Sequence, residues 1–146
     1  MTYFLDSNAI IDLLNGNSNV LAEFKNAFVS ASVKIPYIVY YEVLRGFEYS
    51  DSKNKKNGFE IFAKRCGIEY MDLLTLQEAA RQYADLRKSG ITIDDDDILI
   101  GSLAISRGAV VVTNNIKHFS HLKGIQLENW SVWYKIQNCD SILIIV

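Results

Sequence analysis

Proline is almost missing from this 146-residue sequence: Pro36 is the only one. No proline-rich stretch is there to act as a spacer, and no linker or internal repeat divides the chain. Cysteine is scarce too. Cys66 and Cys139 have no metal-ligand spacing and form no disulfide framework, so both are expected as free thiols in a reducing cytoplasm. The two histidines, His118 and His121, have no cysteine near them, which disfavours zinc chemistry and leaves surface or structural roles. No charge sign dominates. A net charge of −2 argues against a protein that holds long nucleic acid by neutralising many phosphates, yet leaves room for phosphate contacts made through a metal ion. No apolar run approaches the roughly 20 residues of a membrane span. The first residues lack the basic and apolar regions of a signal peptide, so none is expected.

What the sequence does hold is apolar material in short pieces. Hydrophobic residues make up 49%, enough for one core in a single domain. Short apolar runs alternate with amphipathic segments, the pattern of an α/β layered domain. Tyr3-Phe4-Leu5 predicts a strand. Asn8 to Leu14 predicts a helix with Ser7 or Asn8 as N-cap, broken by Gly16 and Asn17. Val20, Leu21, Phe24, Ala27 and Phe28 recur at helical spacing. Val33-Lys34-Ile35 predicts a strand ended by Pro36, which suits the first turn of a helix that carries Glu42 and ends near Gly46. The polar run 51–57 predicts a solvated loop or helix face, with a basic contact for RNA as the other reading. Phe59, Phe62 and Cys66 continue a helix to Gly67, and Ile68 to Leu73 predicts a strand. Leu76, Ala79, Ala80, Tyr83 and Leu86 form the stripe of a helix capped by Gly90. A further helix runs to Gly108. Ala109-Val110-Val111-Val112-Thr113 predicts a strand buried on both faces of a parallel sheet. The segment Ser141–Val146 reads as an edge strand or an appended extension, covered if ordered because it would otherwise aggregate.

The sharpest feature is Asp94-Asp95-Asp96-Asp97, placed directly before the apolar Ile98-Leu99-Ile100. Such neighbours repel one another unless a cation or a helix N-terminus relieves them. Two more acids lie in apolar settings, Asp6 after Tyr3-Phe4-Leu5 and Glu42 within Tyr40-Tyr41-Glu42-Val43-Leu44. On a parallel sheet, Asp6 and the Thr113-Asn114-Asn115 segment fall at the carboxyl edge, where ligand sites of open α/β sheets lie. Asp97 would enter from the first turn of the preceding helix, with Asp95 two residues back, and Glu42 from the helix after Pro36. Asp94 and Asp96 read better as cap or solvent-facing groups. Hard oxygen ligands of this kind suit Mg²⁺ or Mn²⁺. Taken singly, Asp6 also reads as a helix cap and Asn115 as a turn former.

Five segments in this order resemble the PIN-domain ribonucleases, and among them the VapC toxins of bacterial toxin–antitoxin pairs. They are Phe4-Leu5-Asp6-Ser7-Asn8-Ala9-Ile10-Ile11, Tyr41-Glu42-Val43-Leu44-Arg45-Gly46, Ile93 to Gly101, Val111-Val112-Thr113-Asn114-Asn115-Ile116-Lys117-His118-Phe119, and Gly124 to Trp130. The resemblance covers about residues 1–130 and leaves 131–146 as an extension of unknown role. It implies a PIN-like three-layer domain, a central mostly parallel sheet flanked by helices. It implies a metal site of Asp6, Glu42 and Asp97, with Asp95 as accessory acid, Asn115 at a fourth position and Ser7 and Thr113 as supporting hydroxyls. Ser7 stands where Thr is more usual, and Gly101 where Ala is commoner, which suggests closer packing there. The implied activity is Mg²⁺- or Mn²⁺-dependent hydrolysis of RNA, tRNA being a frequent target, that stops translation. The implied partners are RNA, a VapB-type antitoxin that blocks the cleft, and a second copy of the chain. The implied setting is the cytoplasm, without a membrane.

Two other readings compete. A receiver-type phosphoacceptor domain would need an acidic pair after strand one and an acceptor Asp at a strand end near residue 50; Asp51 lies instead in a polar stretch. A non-catalytic PIN-like binding module would lack ligands, whereas Asp6, Glu42 and Asp97 are all present.

Overall fold

The fold is built around a parallel sheet, seen in a computed structural model that describes residues 1–132. Cys139 and the Ser141–Val146 segment lie outside the described residues. The strands are β1 (Thr2–Leu5), β2 (Ser32–Pro36), β3 (Ile68–Glu69), β4 (Val110–Val112) and β5 (Gln126–Glu128). They pair in the order β3-β2-β1-β4-β5, parallel throughout. Parallel neighbours need crossover connections. The helices supply them: α1 (Ser7–Leu14), α2 (Ser18–Ser30), α3 (Tyr37–Tyr49), α4 (Lys53–Cys66), α5 (Leu73–Lys88), α6 (Asp95–Arg107) and the short α7 (Ile116–Phe119). The chain winds outward from β1 to β3, then returns past β1 to β4. With right-handed crossovers, that reversal puts helices on both faces of the sheet. The order also differs from the 2-1-3-4-5 of receiver-type folds, which removes that reading.

Phe4, Leu5, Ile35, Val111 and Val112 of the sheet are buried with Ile10, Val39, Phe59 and Leu103 of the helices in one core. All three residues of β4 are buried, as its unbroken apolar run predicts. Trp130 closes the described chain: its ring meets Tyr3 edge-on at 5.3 Å and its Nε1 donates to Glu128 Oε2 at 2.8 Å.

Local readings fail at three boundaries. The N-cap of α1 is Asp6, not Ser7 or Asn8: Asp6 Oδ1 accepts from the Ser7 amide at 2.8 Å. Helix α3 passes through Gly46 to Tyr49, because Phe47 packs on Phe59 with centroids 6.1 Å apart. That packing outweighs the roughly 1 kcal/mol a mid-helix glycine costs. The strand predicted over Ile68–Leu73 shrinks to Ile68–Glu69, since Asp72 caps α5 by accepting from the Thr75 amide at 2.9 Å. The polar run 51–57 agrees with its reading as a solvated helix face, since it is mostly the exposed head of α4.

Beside β3, Glu69 accepts from Lys34 Nζ at 2.6 Å and from Arg107 Nε at 2.9 Å, and Arg107 Nη2 reaches Asp72 at 3.1 Å. The network ties β2, β3 and the ends of α5 and α6 together.

Candidate active site

The switch in strand order lies between β1 and β4, where Leu5 is in register with Val112. Both strands end there. The Asp6 amide donates to the Val112 carbonyl at 3.0 Å, which sets Asp6 beside Thr113. Asp6 is 4% exposed and Thr113 is fully buried. Asp6 Oδ2 accepts from the Thr113 hydroxyl at 2.7 Å and from Asn8 Nδ2 at 2.9 Å, while Oδ1 takes the Ser7 amide. One carboxylate thus starts α1 and faces the cleft. Asn8 continues the lattice, accepting from the Asn114 amide at 2.8 Å.

Asp97 comes from the first turn of α6, whose first turn also carries Asp95 and Asp96. Its Oδ2 lies 3.3 Å from His118 Nδ1 and 3.5 Å from Asn115 Nδ2. Asn115 is fixed in turn by its own amide, which donates to Thr113 Oγ1 at 2.9 Å. Glu42 enters from α3, half-buried and hydrogen-bonded to the Ser7 side chain. It opens into a solvent-facing groove of about 430 Å³ that Ser7, Arg45, Phe47 and Ser50 also line.

The three acids share one electrostatic problem. Burial raises the pKa of Asp6, opposed by its hydrogen bonds from Thr113, Ser7 and Asn8. Burial raises Glu42, and the charges of Asp6 and Asp96 push it further. Burial raises Asp97 as well, with Asp6 and Asp94 adding repulsion and His118 opposing it. Each acid therefore feels at least one other charge of the cleft in addition to desolvation, or is itself the source of that charge. A pocket that concentrates negative charge at a topological switch point is suited to a cation.

The structure brings Asp6, Glu42, Asp97, Asn115, Ser7 and Thr113 to one cleft. Asp95 is elsewhere: it is exposed and lines a separate hollow with Leu76, Ala79, Tyr83 and Leu99 of α5 and α6. Asp96, read from sequence as a cap or solvent-facing group, is the acid of the run that acts on Glu42. Asp94 is the N-cap residue of α6 without a side-chain bond. Sequence reasoning also missed Asn8 and His118. Asn8 follows Asp6 by two residues, a spacing that gives no signal until the helix turns it back; His118 was separated from the acids by its surface-like setting.

The residues 3–125 match the model of the PIN domain family. Ribonuclease VapC2 of Rickettsia felis is 31% identical, over 89% of this chain and 98% of that protein. The tRNA(fMet)-specific endonuclease VapC of Salmonella typhimurium is 28% identical over 89% of this chain and 98% of its own length. Among solved structures, VapBC2 from Rickettsia felis bound to a promoter DNA fragment superimposes with a TM-score of 0.83 at 27% identity, over 89% of this chain and 99% of that one. A family match over most of the chain, joined to the sheet order described above, makes this chain a member of the PIN domain family.

Proposed function

We propose that the chain is a ribonuclease of the VapC kind, the toxin of a toxin–antitoxin pair, acting at the cleft of Asp6, Glu42 and Asp97 with Mg²⁺ or Mn²⁺. The observation that carries this reading is the convergence of three carboxylates, remote in sequence, whose shared repulsion burial makes worse. The relatives named above as ribonucleases and as a tRNA(fMet)-specific endonuclease support RNA as substrate, with tRNA the first class to test.

The donor set fits a hard divalent ion. Asp6, Glu42 and Asp97 offer carboxylate oxygens, and Asn115 an amide. Among the described residues no group of three Asp, Glu, His or Cys side chains is placed to hold a metal ion as the cleft stands. Mg²⁺ does not ask for a closed cage, since it keeps several waters and takes one or two carboxylates directly. Bound there, such an ion would supply Lewis acidity to a water and to the phosphodiester. The chain's own part is to orient. Thr113, Asn8 and Ser7 hold Asp6 in one rotamer, His118 and Asn115 hold Asp97, and the Ser7 side chain holds Glu42. Asp95 has no part in the cleft on this reading, and Asp96 takes the place of accessory acid.

A VapB-type antitoxin is the expected partner, as in the VapBC assemblies of Rickettsia felis and Salmonella typhimurium. A second copy of the chain is expected as well. Tyr70, Leu73 and Leu74 are 65%, 70% and 67% exposed, with Tyr37 stacked on Tyr70, an apolar group that a dimer would cover. The cytoplasm is the expected setting: Cys66 is a free thiol, and among the described residues no helix is long and apolar enough to cross a membrane.

The test is cleavage of total cellular RNA by purified protein with Mn²⁺, Mg²⁺ or EDTA, and Asp97→Asn as control. Discrete fragments that need the ion and are absent with the variant support the reading. Wild-type protein that is folded, free of antitoxin and inert with either ion sends it to the non-catalytic binding module.

A further inference from the structure

A cleft that gathers carboxylates repels the polyanion it is meant to cut, so the RNA must be held by cations beside it. The groove that opens from Glu42 has one on its wall. Arg45 stands one helical turn beyond Glu42 on α3 and lines the same groove. It is exposed, and no ion pair ties it among the described residues. Its guanidinium carbon sits 5.1 Å from the centre of the Tyr41 ring, and Tyr41 is itself 57% exposed. Stacking on a ring fixes the guanidinium plane while leaving its forked N–H groups free at the edge, ready for a phosphate in the two-pronged manner. Ser7 and Ser50 add hydroxyls to the same groove. Three residues after Ser50 in the chain α4 begins, and there Lys53 and Lys55 are exposed and without an ion pair among the described residues, whereas Lys56 is tied to Glu48. Positive charge at that end adds to the helix dipole.

We propose that Arg45, set over the Tyr41 ring, is a phosphate-binding residue for the RNA strand next to the cleaved bond, and that Lys53 and Lys55 continue its track. This rests on the ribonuclease reading. It also gives a chain of net charge −2 a local foothold for RNA, because Arg45 lines the groove beside the acidic cleft.

The experiment uses the full chain, total tRNA as cleavage substrate, and a labelled single-stranded oligoribonucleotide whose binding is read in EDTA over a range of salt. Arg45→Ala should raise KM about tenfold, the loss of one charge-assisted contact, with a much smaller change in kcat. It should also lower the salt slope of binding by about one phosphate contact. Arg45→Lys should keep the slope and recover only part of KM, because a lysine lacks the planar fork. Lys53→Ala/Lys55→Ala should weaken binding in the same direction. A folded Arg45→Ala variant with wild-type KM and salt slope overturns this proposal alone. A wild-type chain that neither cuts nor binds RNA overturns the ribonuclease reading and this proposal with it.

Discussion

Asp97 is held from two sides. His118 Nδ1 and Asn115 Nδ2 meet the same oxygen, Oδ2. Groups that orient a metal-ligating side chain from behind are typically worth 10–100-fold in metal affinity. His118→Ala is therefore expected to weaken Mn²⁺ binding by about tenfold. His118→Asn should retain most of it, because the Asn amide nitrogen occupies the place of Nδ1; His118→Gln, whose nitrogen corresponds to Nε2, should not. Mn²⁺ titration by electron spin resonance on RNA-free protein separates these outcomes. The acids themselves give a second expectation. Burial first, then Asp6, raises the Asp97 pKa, so ionised Asp97 opposes folding at neutral pH. Asp97→Asn should raise the melting temperature of metal-free protein at pH 7, while abolishing cleavage. The gain should vanish as pH falls below the ordinary aspartate value near 3.8, where the carboxyl is protonated in both states. A lower melting temperature at pH 7 would show that the hydrogen bonds of Asp97 matter more than its repulsion.

Helix α6 delivers Asp97, and its fit against the segment from α7 to β5 is tight. Gly101 lies where a Cβ would overlap Leu122 Cδ1 and meet Phe119 Cδ1 at 3.5 Å and Ile125 Cδ1 at 3.6 Å. Leu122 and Phe119 are buried, so neither has room to retreat. The Gly in place of a more usual Ala is thus an adaptation to large neighbours. Gly101→Ala would gain about 1 kcal/mol of helix propensity and lose about 1–3 kcal/mol to overpacking. A net loss of about 1 kcal/mol is expected in urea titrations. Gly101→Ala/Leu122→Val should recover it, and failure to do so would place the strain elsewhere. At the other end, Gly108 caps the helix with φ 61°, the left-handed turn that its sequence predicts.

Across the whole molecule, stability against acid depends on a network outside the cleft. Lys34 first, and Arg107 with it, hold Glu69 below the usual 4.5. A depressed carboxylate stabilises the fold above its unfolded pKa and loses that contribution as pH falls through the lower folded value. Glu69→Gln should therefore cost about 1 kcal/mol at pH 7, an amount typical of a partly exposed network. The difference from wild type should fade below pH 4.5, read as melting temperature against pH. A penalty that persists in acid would assign the loss to packing.

Sequence alone determined the elements whose signals are local. The apolar triplet of β4, the existence of helix α5, the capping glycine of α6 and the acids Asp6, Glu42 and Asp97 are readable because spacing and side-chain chemistry act over a few residues. The stripe read for α5 is not its buried face, which is Thr75, Ala79, Gln82 and Leu86, while Leu76, Ala80 and Tyr83 are exposed. Boundaries were lost where a distant contact overrules propensity, as Phe59 does for α3 at Gly46. Only the tertiary structure decided where each acid of the run 94–97 lies relative to Glu42. A helix turns each successive residue by about 100°, so Asp95 and Asp96 lie on different faces of α6, one toward α5 and one toward Glu42. It also decided the roles of Asn8 and His118, whose partners lie 105 and 21 residues away. Such pairings follow from the order of strands in the sheet, and no short stretch of sequence carries that order.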